Sequence, residues 1–320
     1  MSEASPLHRQ SADLLLMIRP ASFRMNEQTA VNNAYQQQAD AELDAITAAQ
    51  EEFDGLVHVL REAGMAVCVQ EDDPDGDTPD ALFPNNWVSF HRDGRVGLYP
   101  MFAVNRRRER REDLLIRLSA DHGRRLEEIV DFTEFEEHGV FLEGTGSLIL
   151  DRIHNVAYAS LGPRTDEQAA YHFCKAFGYQ LLPFTACQTS GDTSAPIYHT
   201  NVMLAIGTDW AVLCDDIIAD VTERAAVLDA LEASGRTVVR ITADQVNGFA
   251  GNVLEIRNGS GDRLIAMSSA AHAAFTAEQR EVLSSFAKLV HAPIPTIERL
   301  GGGSVRCMLA EVFLPQDDAL

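Results

Sequence analysis

The sequence predicts an α/β fold, a five-bladed α/β propeller of five ββαβ-type modules with pseudo-fivefold symmetry, on three observations. Short segments of one shape recur five times, amphipathic helical patterns lie between them, and no glycine-rich nucleotide fingerprint follows any strand pattern. The segments begin at Phe83 (FPNNWVSF), Phe141 (FLEGTGSLIL), Tyr198 (YHTNVMLAI), Phe249 (FAGNVLEI) and Leu300 (LGGGSVRCML). Asn86, Gly144, Asn201, Asn252 and Gly303 hold the fourth position, at intervals of 58, 57, 51 and 51 residues. Each opens on turn-prone Asn or Gly and runs into an apolar strand pattern. A unit of strands and one helix cannot bury its apolar face alone, so repeats of this kind stack or close on one another. Radial closure also removes the exposed sheet edges. The whole chain, 1–320, then reads as a single catalytic domain with the five segments innermost.

The helices between the segments follow from period and caps. Residues 41–64 (AELDAITAAQEEFDGLVHVLREAG) carry apolar residues at helical spacing and stop at Gly64. DEQAAYHFCKAFG and ERAAVLDALEASG repeat that plan and stop at Gly178 and Gly235, and TAEQREVLSSFAKLV is a fourth copy. Asp166, Thr222 and Thr276 are the expected N-caps. The basic run Arg106–Arg111 opens RRRERREDLLIRL, read as one amphipathic helix with a solvated, internally ion-paired face. Two loop-like stretches, 71–81 (EDDPDGDTPDA) and 187–196 (CQTSGDTSAP), are candidate lids.

Charge and cysteine usage narrow the function. The formal net charge of −22 repels nucleic acid and anionic membranes. The N-terminal residues have no apolar core of a signal peptide, and no apolar run is long enough to span a bilayer, so the cytoplasm is the expected compartment. The five cysteines, Cys68, Cys174, Cys187, Cys214 and Cys307, are widely and irregularly spaced, which suggests neither a disulfide framework nor a zinc site. Asp73, Asp75 and Asp77 lack the glycine and closing Glu of a calcium loop. The expectation is therefore no cofactor, no metal, a small-molecule amino-acid substrate as partner, and room for a homodimer.

Chemistry gathers in the repeats. Glu143 lies in the second, His199 in the third and Cys307 in the fifth. If the repeats converge on an axis, a thiol, a base and a carboxylate that orients the base converge with them. A thiolate attacks, so a neighbouring cation such as an imidazolium at His199 or the Arg306 guanidinium would activate Cys307. The other four cysteines lie outside the segment starts and read as core.

At these residues the chain resembles a known family. FPNNWVSFH, LEGTGSLIL, YHTNVML and LGGGSVRCMLAE, together with Arg19-Pro20 and TAVNNAYQ at 29–36, are similar to segments of the guanidine-modifying (amidinotransferase, or pentein) superfamily. The resemblance is strongest to the arginine deiminase-related branch that includes citrulline hydrolases, and it covers nearly the whole chain. It implies a five-bladed α/β propeller. It also implies Cys307 as nucleophile, His199 as general acid/base, and Glu143 as the carboxylate that orients it. The motif EGTG here departs from the family's EGG type. Arg164 resembles the arginine that holds the substrate α-carboxylate, with Arg19 a further candidate for that role.

Two positions depart from the arginine deiminase pattern. Asn86 and Asn201 stand where those enzymes carry Asp for the cationic guanidinium. An amide offers both donor and acceptor and complements a neutral ureido group. The expected substrate is therefore citrulline, hydrolysed to ornithine, ammonia and carbon dioxide. The alternatives are an arginine or methylarginine deiminase, an amidinotransferase of the same superfamily, and a catalytically silent propeller that binds a small molecule.

Overall fold

The computed structural model describes residues 9–38, 44–190 and 193–317. Five three-stranded sheets share one wiring. The first strand pairs antiparallel with the second, and the second pairs parallel with the third. The sheets are Val88–Phe90, Arg95–Leu98 and Glu128–Asp131; Leu148–Asp151, Val156–Ser160 and Gln180–Phe184; Leu204–Ile206, Trp210–Leu213 and Thr237–Arg240; and Leu254–Arg257, Arg263–Ser268 and Lys288–Ala292. The fifth joins both ends of the described chain: Ala310–Glu311 pairs antiparallel with Leu14–Arg19, which pairs parallel with Ala66–Glu71. In each sheet a helix separates the second strand from the third, as a parallel crossover requires.

The first strand of every sheet follows the turn that opens a recurrent segment, and the first strands meet. Val88–Phe90 touches Ala310–Glu311, and Leu204–Ile206 touches both Leu148–Asp151 and Leu254–Arg257. Ala12, just ahead of Leu14–Arg19, bridges Ile256. The turns that open the segments thereby come together at one end of these strands. Trp87 and Trp210 are both buried in this packing.

The helices form where the pattern places them, with local corrections. Ala45–Glu62 is capped by Asp44, and Gly64 follows at φ +84°. Residues 41–43 of that expectation lie outside the described residues. Glu167–Phe177 is capped by Asp166 and ends on left-handed Gly178, and Thr276 forms a capping box ahead of Ala277–Phe286. Thr222 is not a cap. Asp220 is, because its carboxylate accepts from the backbone N–H groups of both Thr222 and Glu223. Residues 187–196 pair as a hairpin, Cys187–Ser190 with Thr193–Pro196, around 191–192, which are not described. Among the described residues no helix is long and apolar enough to cross a membrane.

The larger correction concerns RRRERREDLLIRL. It is not one solvated helix but a 3-10 turn, Val104–Glu109, followed by the helix Glu112–Asp121. Arg106 and Glu109 are buried. Their paired charges turn inward, because Glu109 meets Arg106 through both its oxygens at 2.9 Å.

Candidate active site

The site is built from the turns that open the repeats. Cys307 sits in Val305–Met308, a helical turn ahead of the last strand rather than within it, and is 2% exposed. Its N–H donates to Ser304 O at 3.0 Å. Two side-chain amides reach its sulfur: Asn201 Nδ2 at 3.4 Å and Asn252 Nδ2 at 3.3 Å. Arg306 does not face the sulfur. It turns to Glu311 at 3.0 Å and to Leu309 O.

His199 and Glu143 meet across two repeats. His199 Nε2 lies 2.8 Å from Glu143 Oε2, and both residues are buried. An ionised carboxylate at Nε2 assigns the ring proton to that nitrogen and leaves Nδ1 as the lone-pair base. Burial pushes the imidazole down to about 4, against the raising effect of Glu143. Burial raises the Glu143 carboxyl, but Arg164, the hydrogen bond from His199 and Arg106 outweigh it and hold it well below the usual carboxylate range. The other Glu143 oxygen accepts from Phe102 N at 3.0 Å.

The glycines of EGTG explain why that motif departs from EGG so easily. Gly144 adopts φ +47°, and a Cβ there would meet Asn85 O at 2.3 Å. A Cβ on Gly146 would lie 2.5 Å from Asn86 Nδ2 and 2.8 Å from His199 Nδ1. Those two positions require glycine. Thr145 between them has space, and its hydroxyl donates to Asn85 O at 3.4 Å.

One cavity unites these groups. It is lined by Cys307, His199, Asn86, Arg164, the glycine turn Gly301–Gly303 and, from elsewhere, Asp80 and Arg106. Its volume is about 10 Å³, room for about one water molecule. The sequence reading missed Asp80, Arg106 and Asn252. Asp80 is hidden in the acidic run 71–81 and Arg106 in the basic run. Asn252 carries a readable signal, because it is the repeat equivalent of Asn86 and Asn201. Asp80 Oδ2 accepts from Asn26 Nδ2 at 2.7 Å and from Thr29 Oγ1 at 3.2 Å, while its buried Oδ1 has no hydrogen-bond partner.

The remaining candidates divide. Arg164 is in the cavity wall, held by Asn32 Oδ1 at 2.9 Å and Thr29 O at 2.8 Å, and its third nitrogen lies 3.6 Å from Glu143. Asn86 is present, but Arg106 Nη1 donates to its Oδ1 at 2.8 Å, so that acceptor is taken. Asn201 is committed to the Cys307 sulfur. Arg19 is not in the wall. It forms a forked ion pair with Asp54 at 2.8 and 2.9 Å on a partly exposed surface. Among the described residues no group of three or more His, Cys, Asp or Glu is placed to hold a metal ion.

Comparisons with known proteins agree with this architecture. The sequence profile of the family described as N,N dimethylarginine dimethylhydrolase, eukaryotic, matches residues 19–314. No curated protein matches the chain in sequence. Among solved structures, ArgZ, an arginine dihydrolase from the ornithine-ammonia cycle in cyanobacteria, superimposes with a TM-score of 0.71 at 16% identity over 94% of this chain. The chain spans only 41% of the ArgZ chain. It spans 99% of the ArgZ N-terminal domain, seen as a cysteine-to-serine variant bound to substrate, with a TM-score of 0.70 at 15% identity over 94% of this chain. A dimethylarginine dimethylaminohydrolase carrying an adduct with S-methyl-L-thiocitrulline superimposes with a TM-score of 0.61 at 12% identity, over 93% of this chain and 99% of its own. Likeness at this level of identity speaks to the fold, a mixed α/β fold of the pentein superfamily.

Proposed function

The chain belongs to the N,N-dimethylarginine dimethylhydrolase family of the pentein superfamily, and on that premise we propose that it is a cysteine hydrolase that cleaves a C–N bond at the guanidino carbon of arginine or a methylated arginine. We read the five sheets as the blades of one propeller and residues 1–320 as its single catalytic domain. The observation that carries the substrate class is Asp80. A guanidinium leaving water needs an anion. Glu143 is occupied by His199, Arg106 and Arg164, whereas Asp80, although its Oδ2 lies 3.8 Å from Arg106, keeps a buried Oδ1 with no hydrogen-bond partner in the cavity wall.

The chemistry follows from the groups at hand. Cys307 sulfur bonds to the guanidino carbon, and its proton passes to neutral His199. The collapse of the tetrahedral centre breaks the C–N bond, and His199 returns that proton to the departing amine. His199 then takes a proton from water, which attacks the covalent carbon. The C–S bond breaks, the thiol is restored and a ureido product leaves. Glu143 keeps the imidazole in the required tautomer. Arg164 supplies the donors for the substrate α-carboxylate. Asn201 and Asn252 steady the sulfur rather than the substrate.

The relatives act on arginine and methylated arginine by name, which favours the guanidino reading over citrulline. A ureido substrate stays as the second reading on one observation. The Arg106 guanidinium sits on Asn86, where a bound cation would meet like charge.

The test is product release from L-arginine, monomethylarginine, dimethylarginine and L-citrulline, with wild type, Cys307→Ala and Asp80→Asn. Cys307-dependent ammonia, methylamine or dimethylamine from the guanidino compounds is expected, according to which nitrogen leaves. Asp80→Asn should weaken their kcat/KM by about 30-fold or more, the loss expected when one partner of a buried charge pair is removed. Ornithine from citrulline, untouched by Asp80→Asn, would replace this reading with the ureido one. Turnover surviving in Cys307→Ala would sink both.

A further inference from the structure

The two strands that leave the catalytic cavity lead to a second cavity at their far ends. Val88–Phe90 starts just past Asn86 and ends at His91. Leu148–Asp151 starts just past the EGTG turn and ends at Arg152. His91, Arg92, Asp93, Arg152, Phe177 and Tyr179 line a cavity of about 160 Å³ there, larger than the one at Cys307.

This cavity is cationic. Arg152 is 5% exposed. Its guanidinium lies 3.9 Å from the centroid of the Phe313 ring, and that of Arg92 lies 5.1 Å from the same ring. Two guanidinium groups thus share one aromatic ring. Among the described residues no carboxylate lies within ion-pair distance of Arg152. Among the described residues its guanidinium meets Phe90 O through a long hydrogen bond at 3.5 Å, Tyr179 through another, and the Phe313 ring. Among the described residues Asp93 is the carboxylate in the wall, and it is engaged by Arg95 at 2.6 Å. His91 adds no charge. Burial, Arg152 and Arg95 drive its imidazole well below its ordinary value, and it stacks on Phe177 with centroids 3.8 Å apart.

A buried guanidinium without an anion is costly, and a chain of net charge −22 has no shortage of carboxylates with which to pair it. Arginine forks match the geometry of oxyanions, and two of them match a double charge better than a single one. We propose that this cavity, lined by Arg92 and Arg152, is a binding site for a phosphate group, either free or carried by a small metabolite. It lies at the opposite ends of the two strands that present Asn86 and Glu143 to the catalytic cavity. The inference does not depend on the reaction catalysed there.

The experiment titrates inorganic phosphate, with acetate and chloride as controls at constant ionic strength. It is read by calorimetry and by the phosphorus NMR linewidth on wild type, Arg152→Gln, Arg92→Gln and Cys307→Ala. Saturable phosphate binding is expected in wild type and Cys307→Ala, weakened at least tenfold in Arg92→Gln and in Arg152→Gln. Arg92→Gln carries the test if Arg152→Gln does not fold. Glucose 6-phosphate, titrated alongside, separates a free-phosphate site from one open to a phosphorylated metabolite, and binding of either supports the proposal. No saturable binding of either would overturn it. So would equal binding of acetate. Binding that survives both Arg92→Gln and Arg152→Gln but is lost in Arg164→Gln would assign the anion to the catalytic cavity, which also overturns it.

Discussion

His199 shows how a residue with a readable role acquires a property that no sequence states. Its place beside Thr200 and Asn201 in a repeat marks it as a candidate base, but its protonation is set by what closes over it. Free imidazole takes a proton below about 6.5, whereas the buried ring of His199 resists protonation down to about 4. Between those values the unfolded chain binds more protons than the folded one, so stability falls as pH falls through that window, by up to about 1.4 kcal/mol per pH unit. Glu143, held below its ordinary range, adds loss in the same direction at the acidic end. Melting temperature measured from pH 8 to pH 4 should therefore drop below about 6.5 in wild type and drop less steeply in His199→Gln. Equal slopes would show that the buried imidazole is not the source. Asp80 and Arg106 mark where reading by residue fails. In the sequence each is one charge in a run of charges, and a run reads as solvated face. Only the packing of Val104–Glu109 against the turn at Phe83–Asn86 shows that these two point inward.

Among the elements, the recurrent turn was the legible one, because five copies share a shape that one copy could not establish. Turn followed by strand is visible as Asn or Gly followed by apolar residues. The ββαβ wiring is visible because a helix must carry a parallel crossover. What stayed hidden was that the candidate catalytic side chains sit on the turns and not on the strands, Cys307 among them. Short 3-10 and α turns of three or four residues leave no periodicity to detect. The turn also dictates a distinction inside EGTG. Gly146→Ala forces a Cβ between Asn86 and His199, displacing the base against the cavity wall. A misplacement near 1 Å costs about 100-fold in rate. Gly146→Ala is expected to lower kcat by about that much with a circular dichroism spectrum like wild type, while Thr145→Gly, which loses only a long hydrogen bond to Asn85 O, stays within about threefold. Equal losses in the two variants would mean that the motif acts through overall turn stability and not through clearance around His199.

For the whole molecule, the fifth sheet couples the site to both ends of the described chain. Glu311 and Ala310 pair with Leu15 and Leu16, and the strand they belong to follows Cys307 by only two residues. Cys307 is therefore held in place by a sheet whose other two strands come from the opposite end of the sequence. That arrangement was only partly legible. The repeat count suggested five units, but the first segment begins at Phe83, leaving residues 14–71 with two strands and two helices and no segment of their own. The fifth segment supplies the missing strand. Removal of residues 310–320 tests how far this closure carries stability. It deletes the pairing strand together with Val312, Phe313 and Leu314, all buried. At about 1.5–3 kcal/mol for each large apolar side chain taken out of the core, the loss is about 5–9 kcal/mol, which matches the net stability of a typical domain. The truncated chain should show no cooperative thermal transition and no Cys307-dependent turnover, although Cys307 itself remains. A sharp transition retained within a few degrees of wild type would mean that the strand Leu14–Arg19 is held by its neighbours without Ala310–Glu311, and that the ends of the described chain are joined for the geometry of Cys307 alone.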